Sequence, residues 1–137
     1  MIQVVQLRKN FAGHQVLQGV DLEIVTGKIT TIIGGSGCGK TVLLKHLIAL
    51  LLPDRGQVLV DGVDITRLGQ RGLNEIRHKF GVLFQGAALL DSLTLFDNVA
   101  FPLREKTRIG EGEIGKKVMA RLEQVGLESA GYKYPAE

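Results

Sequence analysis

The sequence has 137 residues, a hydrophobic content of 45% and a formal net charge of +3. A chain of this size forms at most one ordinary globular domain with an apolar core. The charge is only mildly basic, aromatic residues make up 5% and Trp is absent, so we expect no base-stacking surface and no nucleic-acid partner. The single cysteine, Cys38, excludes an internal disulfide.

The N-terminal part of the sequence predicts short strands followed by a helix. Residues 2–8 and 20–25 alternate apolar and polar side chains, which is typical of half-buried strands. Residues 29–33 form a β-branched run that predicts a third strand, and the apolar stretch 42–52 predicts the first helix.

The remaining sequence predicts alternating turns, strands and helices. In chain order the predictions are a turn at 53–56, a strand at 57–60, an Asp-Gly hairpin at 61–62, a strand at 63–65, a short helix at 74–79, a buried strand at 80–84, a helix at 95–101 that ends before Pro102, and a helix at 113–125 that ends at Gly126.

Residues 34–41 match the phosphate-binding pattern Gly-x4-Gly-Lys-[Ser/Thr], and they stand between a predicted strand and a predicted helix, as this pattern requires. Glycines at four of these positions are expected to give positive φ angles and a close backbone approach to phosphates. The start of the following helix adds free N–H groups. Lys40 suits the β- and γ-phosphates, and the Thr41 hydroxyl suits Mg²⁺. The predicted nucleotide-binding residues of this loop are Gly34, Gly35, Ser36, Gly37, Cys38, Gly39, Lys40 and Thr41. A glycine-rich turn without a ligand is the alternative.

The order of these features resembles the N-terminal part of an ABC transporter ATPase domain. The likeness implies an α/β phosphate-loop NTPase fold with an antiparallel β subdomain, in which residues 1–137 are one truncated domain with no second domain. It implies ATP and Mg²⁺ as cofactors, Phe11 stacked on adenine, Val16 beside the base, and Gln85 in contact with Mg²⁺ or the attacking water. A strand-end core residue is the alternative for Phe11, and a solvated loop amide is the alternative for Gln85.

Residues 82–105 are similar to the ATPases of Mla-type phospholipid transport systems. That similarity implies phospholipid cargo, a membrane-spanning permease subunit, a second ATPase subunit and a lipid-binding protein of the Mce class. It places the intact protein in the cytoplasm, peripheral on the inner face of the cell membrane.

Two motifs of the family are missing from the sequence: four apolar residues followed by Asp-Glu, and Leu-Ser-Gly-Gly. Residues 134–137 resemble the lead-in to the second motif, so we expect roughly the first half to three-fifths of a domain. No catalytic residue is therefore assigned. We expect this chain to bind ATP without hydrolysing it, whereas the intact parent couples hydrolysis to transport.

Three alternatives remain: a stand-alone, non-catalytic nucleotide-binding module, an ABC ATPase for a different cargo, and another phosphate-loop enzyme. The last is disfavoured because the guanine-reading pattern Asn-Lys-x-Asp is absent from the sequence.

Overall fold

The computed structural model describes residues 1–84, 86 and 88–137, and its elements form two units, Met1–Val82 and Leu83–Glu137. In chain order the elements are β1 (Ile2–Phe11), β2 (His14–Ile24), α1 (Lys40–Leu47), β3 (Arg55–Val60), β4 (Val63–Asp64), a 3₁₀ turn (Ile65–Arg67), α2 (Gln70–Arg77), α3 (Leu95–Lys106), α4 (Glu111–Gln124) and a second 3₁₀ turn (Glu128–Ala130).

The first unit is built on a four-stranded antiparallel sheet with the order β2-β1-β3-β4. β1 and β2 are longer than predicted, because they continue to a tight turn in which Phe11 pairs with His14. A second tight turn joins β3 to β4, with Asp61 at φ 50 and Gly62 at φ 81. This confirms the hairpin that Asp-Gly predicts, since its turn type needs positive φ at both central residues.

Helices α1 and α2 contribute apolar side chains to the same core as the sheet. Leu43 and Leu47 lie one helical turn apart on α1, and both are buried. Their spacing places them on one face of the helix, which excludes water from the sheet below. The buried core residues are Val4, Leu7, Leu17, Leu43, Leu47, Ala49, Val58, Val60, Ile65, Leu73 and Ile76.

Two predicted strands are wrong. Residues 29–33 and 80–84 are described, and neither run is in a strand. Ile29 is 97% exposed and Leu83 is 90% exposed. A strand needs a neighbour to pair its N–H and C=O groups, and the only strand pairs in the described part of the chain are β1 with β2, β1 with β3, and β3 with β4.

Helix boundaries also differ from the predictions. α1 stops at Leu47 because Ala49 adopts φ 57, and the N–H groups of Leu50 and Leu51 turn back to the Lys45 carbonyl at 2.9 and 3.1 Å. α2 begins four residues before the predicted start, at Gln70. α3 continues through Pro102 to Lys106, which costs it one backbone hydrogen bond.

The second unit is centred on the contact between α3 and α4. Ala100 of α3 and three residues of α4, Ile114, Val118 and Leu122, form its buried cluster. Backbone bonds from Leu95 and Phe96 to the carbonyls of Lys133 and Gly131, both 2.8 Å, tie the start of α3 to the last residues of the chain. Across the described residues, the longest apolar helical stretch falls short of what a membrane crossing would need.

Candidate functional site

Lys40 lies inside the loop that the sequence predicts to bind phosphate. Its Nζ donates hydrogen bonds to the carbonyl oxygens of Gly34 at 2.8 Å and Gly35 at 2.6 Å. The ammonium is also 3.7 Å from the Cys38 Sγ. Two neutral carbonyls do not balance a full positive charge, so this ammonium is ready to exchange them for an anion.

The start of α1 presents backbone N–H groups to the same loop. Lys40 is the first helical residue, and Gly39 before it makes no side-chain cap. Among the described residues, the N–H groups of Lys40, Thr41 and Val42 have no hydrogen-bond acceptor. Free N–H groups at a helix start, together with the positive end of the helix dipole, favour an anion such as a phosphate.

The surrounding sequence adds no negative charge. No Asp or Glu occurs between Glu23 and Asp54, whereas Lys28, Lys40 and Lys45 all fall in that span. The first turn of α1 is likewise free of acidic residues. The electrostatic environment of the loop therefore favours a polyanion.

The loop glycines divide into two kinds, which corrects one expectation. Gly37 and Gly39 have positive φ angles, 78° and 97°, but Gly34 and Gly35 do not. A Cβ on Gly39 would lie 3.1 Å from Val16 and one on Gly34 would lie 2.7 Å from the Cys38 Sγ. Gly39 is thus required by both its backbone angle and its close packing, whereas the exposed Cys38 side chain can turn away from a Cβ on Gly34.

The residues assigned to the adenine ring lie at the turn between β1 and β2. Phe11 ends β1 and is 43% exposed, so its ring face is available to a planar ligand. Val16 is half-buried on β2 and packs against Gly39, which places it beside the phosphate loop. The buried alternative for Phe11 is not what the structure shows.

Sequence reasoning missed Lys9. Its Nζ lies 5.5 Å from the centre of the Phe11 ring and donates to the Leu52 carbonyl at 3.0 Å and to Asp54 Oδ1 at 2.8 Å. The bond from Lys9 lowers the pKa of Asp54 below its usual range. Lys9 therefore makes a cation–π contact with the Phe11 ring, which remains 43% exposed. The i, i+2 spacing of Lys9 and Phe11 on one strand was the available signal.

Thr41 and Gln85 are the two residues that the sequence predicts to contact Mg²⁺. Thr41 is exposed at the first turn of α1, and its assignment as a ligand of Mg²⁺ stays a prediction. Gln85 lies outside the described residues, so its assignment stays a prediction. Ser36 and Cys38 are exposed in the loop.

A glycine-rich loop that matches the phosphate-binding pattern, placed at the start of a helix, is typical of phosphate-loop nucleotide-binding domains. The chain belongs to the ABC transporter family, whose profile matches residues 17–136. This confirms the resemblance and the fold class that the sequence predicts.

Named relatives of the chain carry different transport assignments. It is 47% identical over 136 residues to the probable ribonucleotide transport ATP-binding protein mkl of Mycobacterium leprae, covering 99% of this chain and 39% of that protein. It is 43% identical over 137 residues to the intermembrane phospholipid transport system ATP-binding protein MlaF of Haemophilus influenzae, covering 100% and 52%. It is 45% identical over 140 residues to the methionine import ATP-binding protein MetN of Carboxydothermus hydrogenoformans, covering 100% and 41%.

Solved structures support the same fold. The dimeric bacterial ABC transporter cassette MJ0796 superposes with a TM-score of 0.89 at 30% identity, covering 99% of this chain and 62% of that one. A post-hydrolysis state of the same cassette, bound to ADP and Pi, gives a TM-score of 0.88 with the same coverage. The chain therefore spans between about two-fifths and three-fifths of the length of the proteins it matches.

Proposed function

We propose that this chain is the nucleotide-binding part of the ATP-binding subunit of an ABC transporter, and that it binds ATP with Mg²⁺ at residues 34–41. One observation carries the proposal. The Lys40 ammonium bonds only to atoms of residues 34–38 within the described part of the chain, and the same loop leads into the start of α1, where three N–H groups have no acceptor among the described residues.

Each residue has a distinct role in this proposal. Lys40 exchanges the carbonyls of Gly34 and Gly35 for phosphate oxygens, and the N–H groups of the loop hold the remaining oxygens. Thr41 supplies an oxygen ligand to Mg²⁺, which neutralises phosphate charge when it is bound. Phe11 offers its free ring face to adenine, and Val16 fills the space between that ring and Gly39. Gln85 is the second proposed metal contact.

The test is a titration of the chain with a fluorescent ATP analogue. Lys40→Ala removes a charge-assisted contact of roughly 1.5 to 3 kcal/mol, which corresponds to about a tenfold or greater loss of affinity. Lys45→Ala is the matched control, because it removes the same side chain from the same helix one turn away from the loop. Equal affinity for Lys40→Ala and Lys45→Ala would contradict the proposed site.

For the whole protein, we propose that nucleotide binding drives ATP hydrolysis coupled to transport. The supporting observations are the family match and the dimeric state of the related cassette. The proposed partners are a second ATPase subunit, a membrane-spanning permease and a Mce-class lipid-binding protein, with the subunit at the cytoplasmic face of the membrane. The 137-residue chain by itself should show only background ATP turnover, because it lacks the acidic and Leu-Ser-Gly-Gly motifs. Robust Mg²⁺-dependent phosphate release from the purified chain would contradict this.

We propose phospholipid as the cargo. Residues 82–105 carry the likeness to Mla-type ATPases, and the MlaF protein of Haemophilus influenzae is among the relatives. The test uses the full-length subunit reconstituted with its own permease in vesicles that contain a fluorescent phospholipid. ATP-dependent movement of the lipid is the expected result. ATP-dependent uptake of methionine or a ribonucleotide, with no lipid movement, would overturn the cargo assignment and leave the nucleotide site standing.

A further inference from the structure

His46 lies on α1, six residues after Lys40, and the proposed nucleotide site does not use it. Its relative exposure is 1%, and it is the only buried polar or charged residue in the described part of the chain. Its helical neighbours Leu43 and Leu47 are buried in the same core. A titratable ring in such surroundings is costly unless it stays neutral.

One ring nitrogen is bonded and the other is not. Nδ1 lies 2.7 Å from the Val42 carbonyl oxygen, one helical turn earlier. A carbonyl accepts hydrogen bonds, so Nδ1 carries the proton of the neutral ring. Nε2 is buried and has no hydrogen-bond partner among the described residues. A second proton would have to go to Nε2, and the backbone of Leu52 favours this proton less strongly than burial opposes it.

The charged groups around the ring make that second proton harder to add. Lys9 of β1 opposes a positive charge on the ring, and Asp54, just before β3, favours one. Asp54 is already bonded to the Lys9 ammonium at 2.8 Å. Burial is the largest effect, and the pKa of His46 lies below its usual value of 6.5. From α2, Arg77 donates to the Ala49 carbonyl at 2.6 Å and so holds the turn that follows α1.

We propose that His46 is a proton-sensitive lock on the helix that carries the phosphate loop. When the ring is neutral, α1 packs into the core and holds Lys40 and Thr41 in place. When the ring is protonated, it must leave the core to reach water. The packing of α1 against the core is then lost. α1 has only eight residues, and a helix this short depends on packing against the core for its stability. Loss of packing at its last turn therefore also destabilises its first turn. This inference rests on the proposed nucleotide site.

The lowered pKa of His46 determines how the stability of the protein changes with pH. Because the folded state holds the pKa of His46 below 6.5, the unfolded chain binds the proton more readily. The packing of neutral His46 therefore contributes its full stabilisation above pH 6.5. This contribution is lost as the pH falls through the pKa of the folded state. Acidification should weaken both the fold and the binding of nucleotide.

The experiment compares the wild-type chain with His46→Leu, which keeps the apolar packing and cannot be protonated. His78→Leu is the control, since His78 is exposed. Affinity for a fluorescent ATP analogue and the urea midpoint are measured at pH 7.5, 6.5 and 5.5. Protonation of the nucleotide itself is common to all three proteins. Between pH 7.5 and 5.5 we expect wild type and His78→Leu to lose about fivefold more affinity than His46→Leu.

The outcomes separate the two proposals. Suppose that the ATP analogue binds at pH 7.5 and that its affinity falls equally with pH in wild type and His46→Leu. This result would overturn the proposed role of His46 and leave the nucleotide site standing. No binding at pH 7.5 in any of the three would overturn the nucleotide site. If His46→Leu does not fold, NMR titration of the wild-type imidazole decides. A ring that titrates below the usual pKa, together with loss of the α1 amide signals, supports the lock, whereas a ring that titrates at the usual pKa overturns it.

Discussion

The first turns of α1 and α3 differ in how their backbone N–H groups are satisfied. At α3, the N–H groups of Leu95 and Phe96 donate to backbone carbonyls at 2.8 Å, and that of Asp97 donates to the Thr94 hydroxyl at 3.1 Å. At α1, the corresponding groups of Lys40 and the two residues after it have no acceptor among the described residues.

This difference agrees with the proposed phosphate site at the start of α1, although α2 also begins after a glycine, Gly69, that makes no side-chain cap. Thr94 and Asp97 form a reciprocal cap, because the Thr94 hydroxyl also donates to Asp97 Oδ2 at 2.7 Å. Gly39 precedes α1 and has no side chain that could do the same. N–H groups that are left open at a helix start bond to water or to a ligand such as a phosphate.

The largest expected effect comes from replacing Gly39, the residue before the open start of α1. Gly39→Ala places a side chain on a left-handed backbone, φ 97, which costs about 1 to 2 kcal/mol. Its Cβ would also meet Val16 and Leu17 atoms at 3.1 and 3.2 Å, an overlap that costs roughly 1 to 3 kcal/mol. We expect a lower urea midpoint and a clear loss of affinity for the fluorescent ATP analogue.

Gly37→Ala is the matched control for this change. Gly37 also has positive φ, 78°, but a Cβ there would meet nothing within 4 Å. We expect the backbone cost alone, about 1 to 2 kcal/mol. A Gly37→Ala effect as large as that of Gly39→Ala would mean that the packing of Gly39 against β2 is unimportant.

A smaller effect is expected at the capped helix. Thr94→Ala removes the hydroxyl that holds the Asp97 N–H, and it should lower the free energy of unfolding by about 1 kcal/mol. Thr94→Ser keeps the hydroxyl and should behave nearly as wild type. Urea unfolding followed by circular dichroism measures both. An unchanged midpoint in Thr94→Ala would show that the backbone bonds to Gly131 and Lys133 are sufficient by themselves.

The smallest effect is a pH dependence confined to α3. Hydrogen bonds, from Arg104 first and Thr94 second, lower the pKa of Asp97 below its usual value. Its charge therefore stabilises α3 at neutral pH, and this contribution is lost as the pH falls through the lowered pKa. Hydrogen exchange of α3 amides from pH 7 to pH 3 should show a larger loss in wild type than in Asp97→Asn, in which only Glu111 remains to lose its bond to Arg104. If hydrogen exchange changes equally with pH in both proteins, the Asp97 carboxylate does not stabilise α3.

Local patterns predicted much of this site because their chemistry is local. The loop at 34–41 follows from residue types that phosphate binding needs at fixed spacing, and the hairpin at 61–62 follows from two residues that accept positive φ. The assignments of Phe11 and Val16 came from the family resemblance, and the structure places both at the turn end of the first hairpin.

Other features depended on residues far apart in the sequence. β-branched residues at 29–33 favour a strand, but propensity does not supply a pairing partner, and these residues are not in a strand. Val58 has the same strand preference and is fully buried, because β3 pairs with β1.

The sequence by itself determined the phosphate-loop pattern and the hairpin at 61–62, because both rest on residue types at short spacing, and the order of such motifs indicated the family. Only the tertiary structure decided that Lys9 lies over Phe11 and that His46 is buried. It also decided, among the described residues, that one His46 nitrogen and the first N–H groups of α1 have no partner, whereas those of α3 do. Those outcomes depend on which distant groups meet, and burial and hydrogen-bond satisfaction are properties of the assembled fold.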